Sequence, residues 1–214
     1  MQSLLSLTSL SMFLVLLSFV SFANQIRVVD QNGKPVKNAV VSFVTQNTES
    51  EIALPTAIMD QVNQQFSPQV LVIQKGQFVA FPNSDEIRHH VYSFSAINPF
   101  EIKLYKGSHE APIQYINAGV GVLGCNIHDN MVGYIYVADN EIAKVTSSEG
   151  EVTFERSLPE EITIWHANLS IQQTQRITLP INKEAKLNEV SVTLLQQEKE
   201  ASNTFGSRKF GKNG

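Results

Sequence analysis

Gly124-Cys125-Asn126-Ile127-His128-Asp129-Asn130-Met131-Val132, taken with Phe81-Pro82-Asn83-Ser84-Asp85-Glu86-Ile87-Arg88-His89-His90-Val91, decides how the rest of the chain is read. Cys125 is the only cysteine among 214 residues. His128 follows it by three positions and Met131 by three more, so a thiol, an imidazole and a thioether share one short loop. Two histidines and one cysteine in a trigonal plane, with a weak axial methionine, are the ligand set of an electron-transfer copper site. Soft sulfur favours Cu(I) and imidazole accepts either oxidation state, so such a set holds both. The expected ligands are one histidine of the pair His89 and His90, with Cys125, His128 and Met131, around one copper per chain. A lone cysteine is ordinarily a small buried hydrophobe, and a loop methionine is ordinarily a packing residue. The shared spacing is what moves both towards ligation.

The first residues bear on the same cysteine. Residues 1–23 carry no charged side chain, run apolar from Met12 to Val20, and end in Ser21-Phe22-Ala23. Small residues at −3 and −1 of a cut after Ala23 read as a secretory signal peptide, with an apolar core too short for a confident membrane span. An uncleaved anchor is the alternative, because no Lys or Arg precedes the apolar run. No cysteine follows that run, so a lipid anchor is excluded. The expected mature chain starts at Asn24 in the periplasm, without stable membrane association. An exported domain with one cysteine cannot close an internal disulfide, so the thiol is buried and inert, intermolecular, or a metal ligand. A net charge of −4 gives no footprint for nucleic acid, and 43% hydrophobic residues are enough for a packed core.

From Asn24 onward the pattern is that of β-structure. Ile26–Val29 and Ala39–Val44 flank the turn chemistry of Asp30-Gln31-Asn32-Gly33-Lys34-Pro35. Residues 45–56 are polar. Residues 57–66 are read as extended or irregular. Val70–Ile73 and Phe78–Phe81 around Lys75-Gly76 are read as a hairpin. His89–Phe94 reads as a strand, residues 96–112 as a long loop around Phe100 and Tyr105, and Ile113–Ile116, Val120–Cys125 and Val132–Val137 as further strands. Beyond Ala138 strand-like runs recur at Val152–Phe154, Ile162–Trp165, Ile177–Leu179 and Val190–Leu194. From Gln196 the composition turns to Lys, Glu, Ser, Asn and Gly, which reads as a disordered tail.

With these pieces the segment 57–138 resembles the cupredoxins, the small blue-copper β-sandwich proteins. In that family an Asn precedes the first ligand histidine with five residues between, and Val or Ile follows one residue after it; Asn83 and Val91 select His89. The two-residue gap between His128 and Met131 is similar to amicyanin, and the order of elements to the exported "methylamine utilization protein" type. The family usually carries Asn directly after the first histidine, where this chain has His90. Strand alternation puts His89 and Val91 on one face and His90 and Tyr92 on the other, so His89 points inward if Val91 does. Of the flanks, Ile26–Val44 resembles the opening hairpin of a carboxypeptidase-regulatory-like, prealbumin-like sandwich, and Thr146–Leu179 the strands that follow.

The expected fold is therefore all-β, a cupredoxin Greek-key β-sandwich flanked by a small prealbumin-like β-sandwich. The parts are a signal peptide (1–23), N-terminal strands of the flank (24–56), the copper-binding domain (57–138), C-terminal strands of the flank (139–195) and the tail (196–214). The resemblance implies a type 1 copper protein that carries single electrons and is not an enzyme. Its partners would be transient redox proteins, a dehydrogenase or a c-type cytochrome. Met131, Val132 and Pro82 are expected around the edge of His128, where the electron leaves. The alternatives are a copper-binding or delivery module without redox turnover, and a structural or ligand-binding β-sandwich. An oxidase or nitrite reductase is disfavoured because the chain has one cysteine and no His-x-His pairs for further copper centres, and a binuclear site because it needs a second cysteine. His109 and the carboxylates Asp85 and Glu86 are read as solvated, and His166 is assigned no site.

Overall fold

A computed structural model describes residues 24–45, 54–108 and 111–195. The proposed signal peptide, His109 and the tail lie outside these residues. The chain is all-β, with a single 3-10 turn at Ala167–Leu169 among the described residues. The strands are β1 (Asn24–Asp30), β2 (Val40–Val44), β3 (Ala57–Ile58), β4 (Asp60–Val62), β5 (Gln65–Ser67), β6 (Val70–Gln74), β7 (Phe78–Ala80), β8 (His89–Ser93) and β9 (Phe100–Tyr105). They continue as β10 (Ile113–Gln114), β11 (Gly119–Gly124), β12 (Val132–Ala138), β13 (Glu141–Val145), β14 (Glu151–Phe154), β15 (Glu161–Trp165), β16 (Arg176–Pro180) and β17 (Leu187–Val192).

A five-stranded sheet, in the order β6-β12-β11-β8-β9, faces a smaller sheet, β10-β7-β3, and the β4–β5 hairpin. Between them lies an apolar core that includes Met59, Phe66, Ile73, Val79, Phe81, Val91, Leu123 and Ile135, with Cys125 and Met131 in the same cluster. A second pair of sheets, β14-β1-β17 and β13-β2-β15-β16, encloses its own core around Ile26, Val41, Phe154 and Ile164. The two units meet through a third cluster, in which Val40 and Trp165 pack on Val70, Val120, Tyr134, Tyr136 and Ala138.

Strand β12 shows how the sequence builds this arrangement. Its side chains alternate across the sheet, so Ile135 and Val137 enter the inner core while Tyr134, Tyr136 and Ala138 enter the cluster against Trp165. A strand covered on both faces reads as a continuous apolar run, which Val132-Gly133-Tyr134-Ile135-Tyr136-Val137 is. Gly133 is glycine for want of room: a Cβ there would sit 2.8 Å from the Cβ of Phe66.

Four expectations from the sequence need correction. Val70–Ile73 and Phe78–Phe81 do not form a hairpin, because β6 runs parallel to β12 while β7 pairs with β3 and β10. The Lys75-Gly76 turn crosses between sheets, and Ile73 and Val79 face one core from both sides. The same holds for Ile26–Val44, where β1 and β2 belong to opposite sheets. Residues 100–105 are a strand antiparallel to β8 rather than part of a loop; Ile102 faces the core between the charged Glu101 and Lys103, which masked the pattern. Strand β13, missed in the sequence, closes the four-stranded sheet beside β2. Its Glu141 and Lys144 broke up the apolar pattern.

Candidate metal centre

Asn83 builds the loop that delivers His89. Its Nδ2 donates to the carbonyls of Ile87 and Tyr105, both at 2.9 Å, and its Oδ1 accepts from the Asp85 N–H at 3.0 Å. Its backbone exchanges hydrogen bonds with Gly107 at 2.7 and 3.2 Å. Three side-chain bonds from one buried amide thus close residues 83–87 and tie them to the end of β9, so β8 starts at His89 in a fixed place. Beneath the loop, Gln61 donates to the Pro82 carbonyl at 2.9 Å and to the Tyr105 hydroxyl, which itself donates to the Phe81 carbonyl. Burial is the main reason that the Tyr105 phenol is pushed up to about 12.

Along β8 the burial alternates as the strand pattern demands. His89 and Val91 are fully buried, and His90 and Tyr92 are on the opposite face. His90 Nε2 lies 3.0 Å from a carboxylate oxygen of Glu101, away from the core. His89 Nδ1 lies 3.7 Å from Cys125 Sγ, and its Nε2 lies 2.7 Å from Asp85 Oδ2.

Asp85 is the residue that sequence reasoning missed. Glu86 is the solvated charge expected, paired with Lys106 and 95% exposed; Asp85 is 13% exposed. Besides His89, the Asp85 carboxylate accepts from the backbone N–H groups of Asn63 and Gln64 at 2.6 and 2.8 Å. Those two residues form the tight turn between β4 and β5 and both have positive φ, 53° and 59°. Positive φ at both central positions belongs to the two-residue hairpin turn that follows strand twist, and it is costly without glycine. Here the turn aims two amides at one carboxylate. Burial raises the Asp85 carboxyl, but the bonds from Gln64, His89 and Asn63 outweigh it and hold it below its ordinary value. The signal in the sequence was its position, four residues before His89 inside the Asn83 loop.

Cys125 follows β11 directly and is 4% exposed. His128 Nδ1 lies 3.7 Å from its sulfur, and the His89 and His128 ring centroids are 4.9 Å apart. The Met131 N–H donates to the His128 carbonyl at 2.9 Å and closes the loop as one turn. Met131 is 1% exposed in the same apolar cluster as Cys125. It therefore takes no part in an exposed rim around His128, whereas Pro82 and Val132 are partly exposed. In the two loops Ile87 and Ile127 are the exposed apolar residues, at 42% and 49%.

The donor atoms of His89, Cys125 and His128 all lie within 4.8 Å of one another. Their spacing can be tested against a metal ion. With metal–nitrogen and metal–sulfur bonds of about 2.0 and 2.3 Å, a nitrogen and a sulfur subtend about 120° at the ion when about 3.7 Å apart, and a tetrahedral angle when about 3.5 Å apart. Both nitrogen–sulfur distances, at 3.7 Å, fit the trigonal value. The two imidazoles thus stand at a spacing from the one sulfur that suits a shared metal ion.

No protein-family model matches this chain, and no curated protein does either. Among solved structures it is similar to a purple cupredoxin from Nitrosopumilus maritimus, at 23% identity over 38% of this chain and 96% of that one, with a TM-score of 0.34. A reduced Cu(I) form of an amicyanin variant matches at 18% identity over 47% and 99% of the two chains, with a TM-score of 0.36. A copper-containing nitrite reductase from Thermus scotoductus matches at 21% identity with a TM-score of 0.38; the match covers 52% of this chain and 28% of the reductase.

Proposed function

We propose that this chain is a mononuclear type 1 copper protein of the cupredoxin kind, exported to the periplasm, that carries single electrons between redox proteins and is not itself an enzyme. The observation that carries it is the group of His89 Nδ1, Cys125 Sγ and His128 Nδ1, the first two buried and the third half-buried, with both nitrogen–sulfur distances at the trigonal value. Two imidazoles and a thiolate in a plane, with a thioether as weak fourth ligand, suit copper; structural zinc sites close a tetrahedron with four strong ligands. In this reading Met131, on the loop that already holds Cys125 and His128, would supply the weak fourth ligand. Copper bound there supplies one-electron exchange between Cu(I) and Cu(II).

The chain's own residues account for the rest. His89 is oriented from behind by Asp85, as ligating histidines are by a carboxylate on the other ring nitrogen. That contact leaves Nδ1 free to face the sulfur. The apolar cluster around Cys125 keeps water away from the thiolate, and His128, the less buried of the two imidazoles, is the edge nearest solvent. A rigid set of this kind changes little between oxidation states, which favours transfer over turnover. Transient encounters with small contact areas suit such carriers.

The test is to load the purified protein with Cu(II) and record its visible spectrum. An intense thiolate-to-copper charge-transfer band, absent from Cys125→Ser, is the expected result. A colourless protein that binds zinc as well as copper and shows no redox response would refute the reading and leave a structural site. Copper bound tightly without a reversible potential would favour the delivery module.

A further inference from the structure

We propose that two copies of this chain associate through the outer face of the small sheet β10-β7-β3. This contact is independent of the copper reading above. The inner face of the sheet is core: Ala57, Val79 and Ile113 lie side by side in register, and Met59 and Tyr115 continue inward, both buried. Alternation sends the even-numbered residues out. Phe78 stands opposite Gln114, and Ile58 opposite Ala80. Hydrogen bonds carry this order past the short strands. Gln77 Nε2 donates to the Pro55 carbonyl at 2.8 Å, Gln114 Nε2 to the Gly76 carbonyl at 3.0 Å, and the Tyr115 N–H to the Gln77 carbonyl at 3.0 Å. The same register places Leu54 and Ile116 on the two sides of Gly76.

A sheet with one face in water alternates apolar with polar residues. Here both faces are apolar. Leu54, Ile58, Phe78 and Ile116 are 46%, 57%, 42% and 60% exposed, so no described part of the chain covers them. Among them lie Thr56, Gly76, Ala80 and Gln114, and none of these eight residues carries a charge. Single exposed hydrophobic residues are ordinary on protein surfaces, but four on one uncharged face make a patch. The other sheet of the same sandwich also has an apolar outer face, and there the flanking unit packs over β12 and β11. The small sheet has no such cover among the described residues.

Charge, shape and size point to a second copy as the occupant. Near a two-fold axis a charged residue meets its own kind, which is costly, and this face has none to set against itself although the chain carries a net charge of −4. In shape, the face holds a knob and a hole two residues apart on one strand. Phe78 projects, while an added Cβ at Gly76 would meet nothing within 4 Å. A two-fold axis crossing β7 between them seats each Phe78 over the Gly76 of the other copy, between its Leu54 and Ile116. Such reciprocal fit of one patch with itself is what a closed two-fold contact requires. In size, three strands about 4.8 Å apart and three outward positions about 6.8 Å apart span a footprint of roughly 280 Å². A stable interface takes about 800 Å² from each partner, so the dimer should be a weak one that dissociates on dilution.

Sedimentation velocity of the purified protein at rising concentration tests the contact. The wild type should pass from monomer to dimer, half-associated somewhere between about 1 μM and 1 mM. Phe78→Ser and Ile116→Lys should each weaken association by about tenfold or more. Both side chains point to solvent in the single chain, so the melting temperature of the dilute protein should hardly move. Ile171→Ser, at an exposed residue of the flanking unit, should associate as the wild type does. Isotope-filtered NMR on a mixture of labelled and unlabelled protein should show the Phe78 ring in contact with Gly76 Hα of the other copy. A protein that stays monomeric at about 1 mM, or a dimer that both variants leave unaltered, would overturn the proposal. So would a monomer in which the Phe78 and Ile116 signals shift on removal of residues 196–214, or only on addition of anionic phospholipid vesicles. The first would assign the face to the chain's own tail, the second to a lipid surface.

Discussion

Asp85→Asn tests whether the carboxylate behind His89 holds the site together. Three donors converge on it: the Asn63 N–H on Oδ1, and the Gln64 N–H and His89 Nε2 on Oδ2. An amide has one acceptor oxygen. Its better orientation puts that oxygen at the Oδ2 position, which keeps Gln64 and His89 and turns NH2 towards the Asn63 N–H. The Asn63 N–H, on an exposed turn, then exchanges a charged acceptor for water, at a cost of about 1–3 kcal/mol. For a chain of this size about 2–4 °C of melting temperature goes with each kcal/mol, so the metal-free variant should melt about 2–12 °C lower. Asp85→Ala strands all three donors and should lose more.

Metal affinity should separate the two variants further. Removing the outer partner of a ligating histidine costs about 10–100-fold in affinity. Asn, still accepting from His89, should sit at the lower end of that range and Ala at the upper. Scanning calorimetry of the metal-free proteins gives the first quantity, and competition for Cu(I) against a colorimetric chelator gives the second. If both variants melt and bind as the wild type does, the Asp85–His89 contact contributes nothing and the account of the loop is wrong.

The two adjacent histidines should differ sharply. His89→Ala removes a corner of the trigonal plane and should abolish the charge-transfer band; His90→Asn, on the other face, should keep it. Survival of the band in His89→Ala with its loss in His90→Asn would mean that the ligand register is shifted by one residue. His166, at the turn after β15, accepts from the Asn168 N–H at 3.1 Å, and burial lowers its proton affinity from the ordinary 6.5. Its neutral form is therefore the folded one: stability is whole above the unfolded value and falls as pH drops from about 6.5 towards the depressed folded value. His166→Asn should flatten that part of the curve of melting temperature against pH, and curves that run parallel between pH 7 and 5 would rule the effect out.

What could be read in advance followed from local chemistry. Sulfur and nitrogen donors three residues apart, an asparagine ahead of a histidine, and the β-rich run Val132–Val137 are short-range signals, and the structure brings His89, Cys125 and His128 together. What could not be read was decided at long range. Nothing between Ile73 and Val79 says that the turn crosses from one sheet to another, since a hairpin and a crossing have the same turn residues. Asp85 looks like any loop carboxylate until Asn63 and Gln64, some twenty positions earlier, turn their amides towards it. Ile102 was hidden because Glu101 and Lys103 occupy the solvent side of an edge strand, where charges are common.

The flanking unit is better understood as part of the metal centre's support than as an appendage. Strand β2 leaves the flank at Val44 and β13 re-enters it at Glu141, and these two residues are paired across the sheet. The Thr45 N–H donates to the Asn140 carbonyl at 3.0 Å, so the neck through which the chain leaves and returns is itself hydrogen-bonded. Ends held this close take little away from the entropy of either unit. Around the neck the Tyr136 hydroxyl meets Ser42 at 2.9 Å, Glu141 at 2.7 Å and Arg176 at 3.1 Å, joining β12 to strands β2, β13 and β16 of the flank. The network runs from the buried Ser42 to the exposed Arg176, and at its buried end breaking one member leaves another unpaired in a low dielectric. Beneath it Trp165 covers Tyr134 and Tyr136, at 5.3 and 6.4 Å between centroids. Strand β12 has thus no solvent face to give up, and it is the strand that follows Met131 and pairs with the one that precedes Cys125. The flank bears on the ligand loop through the strands at both of its ends.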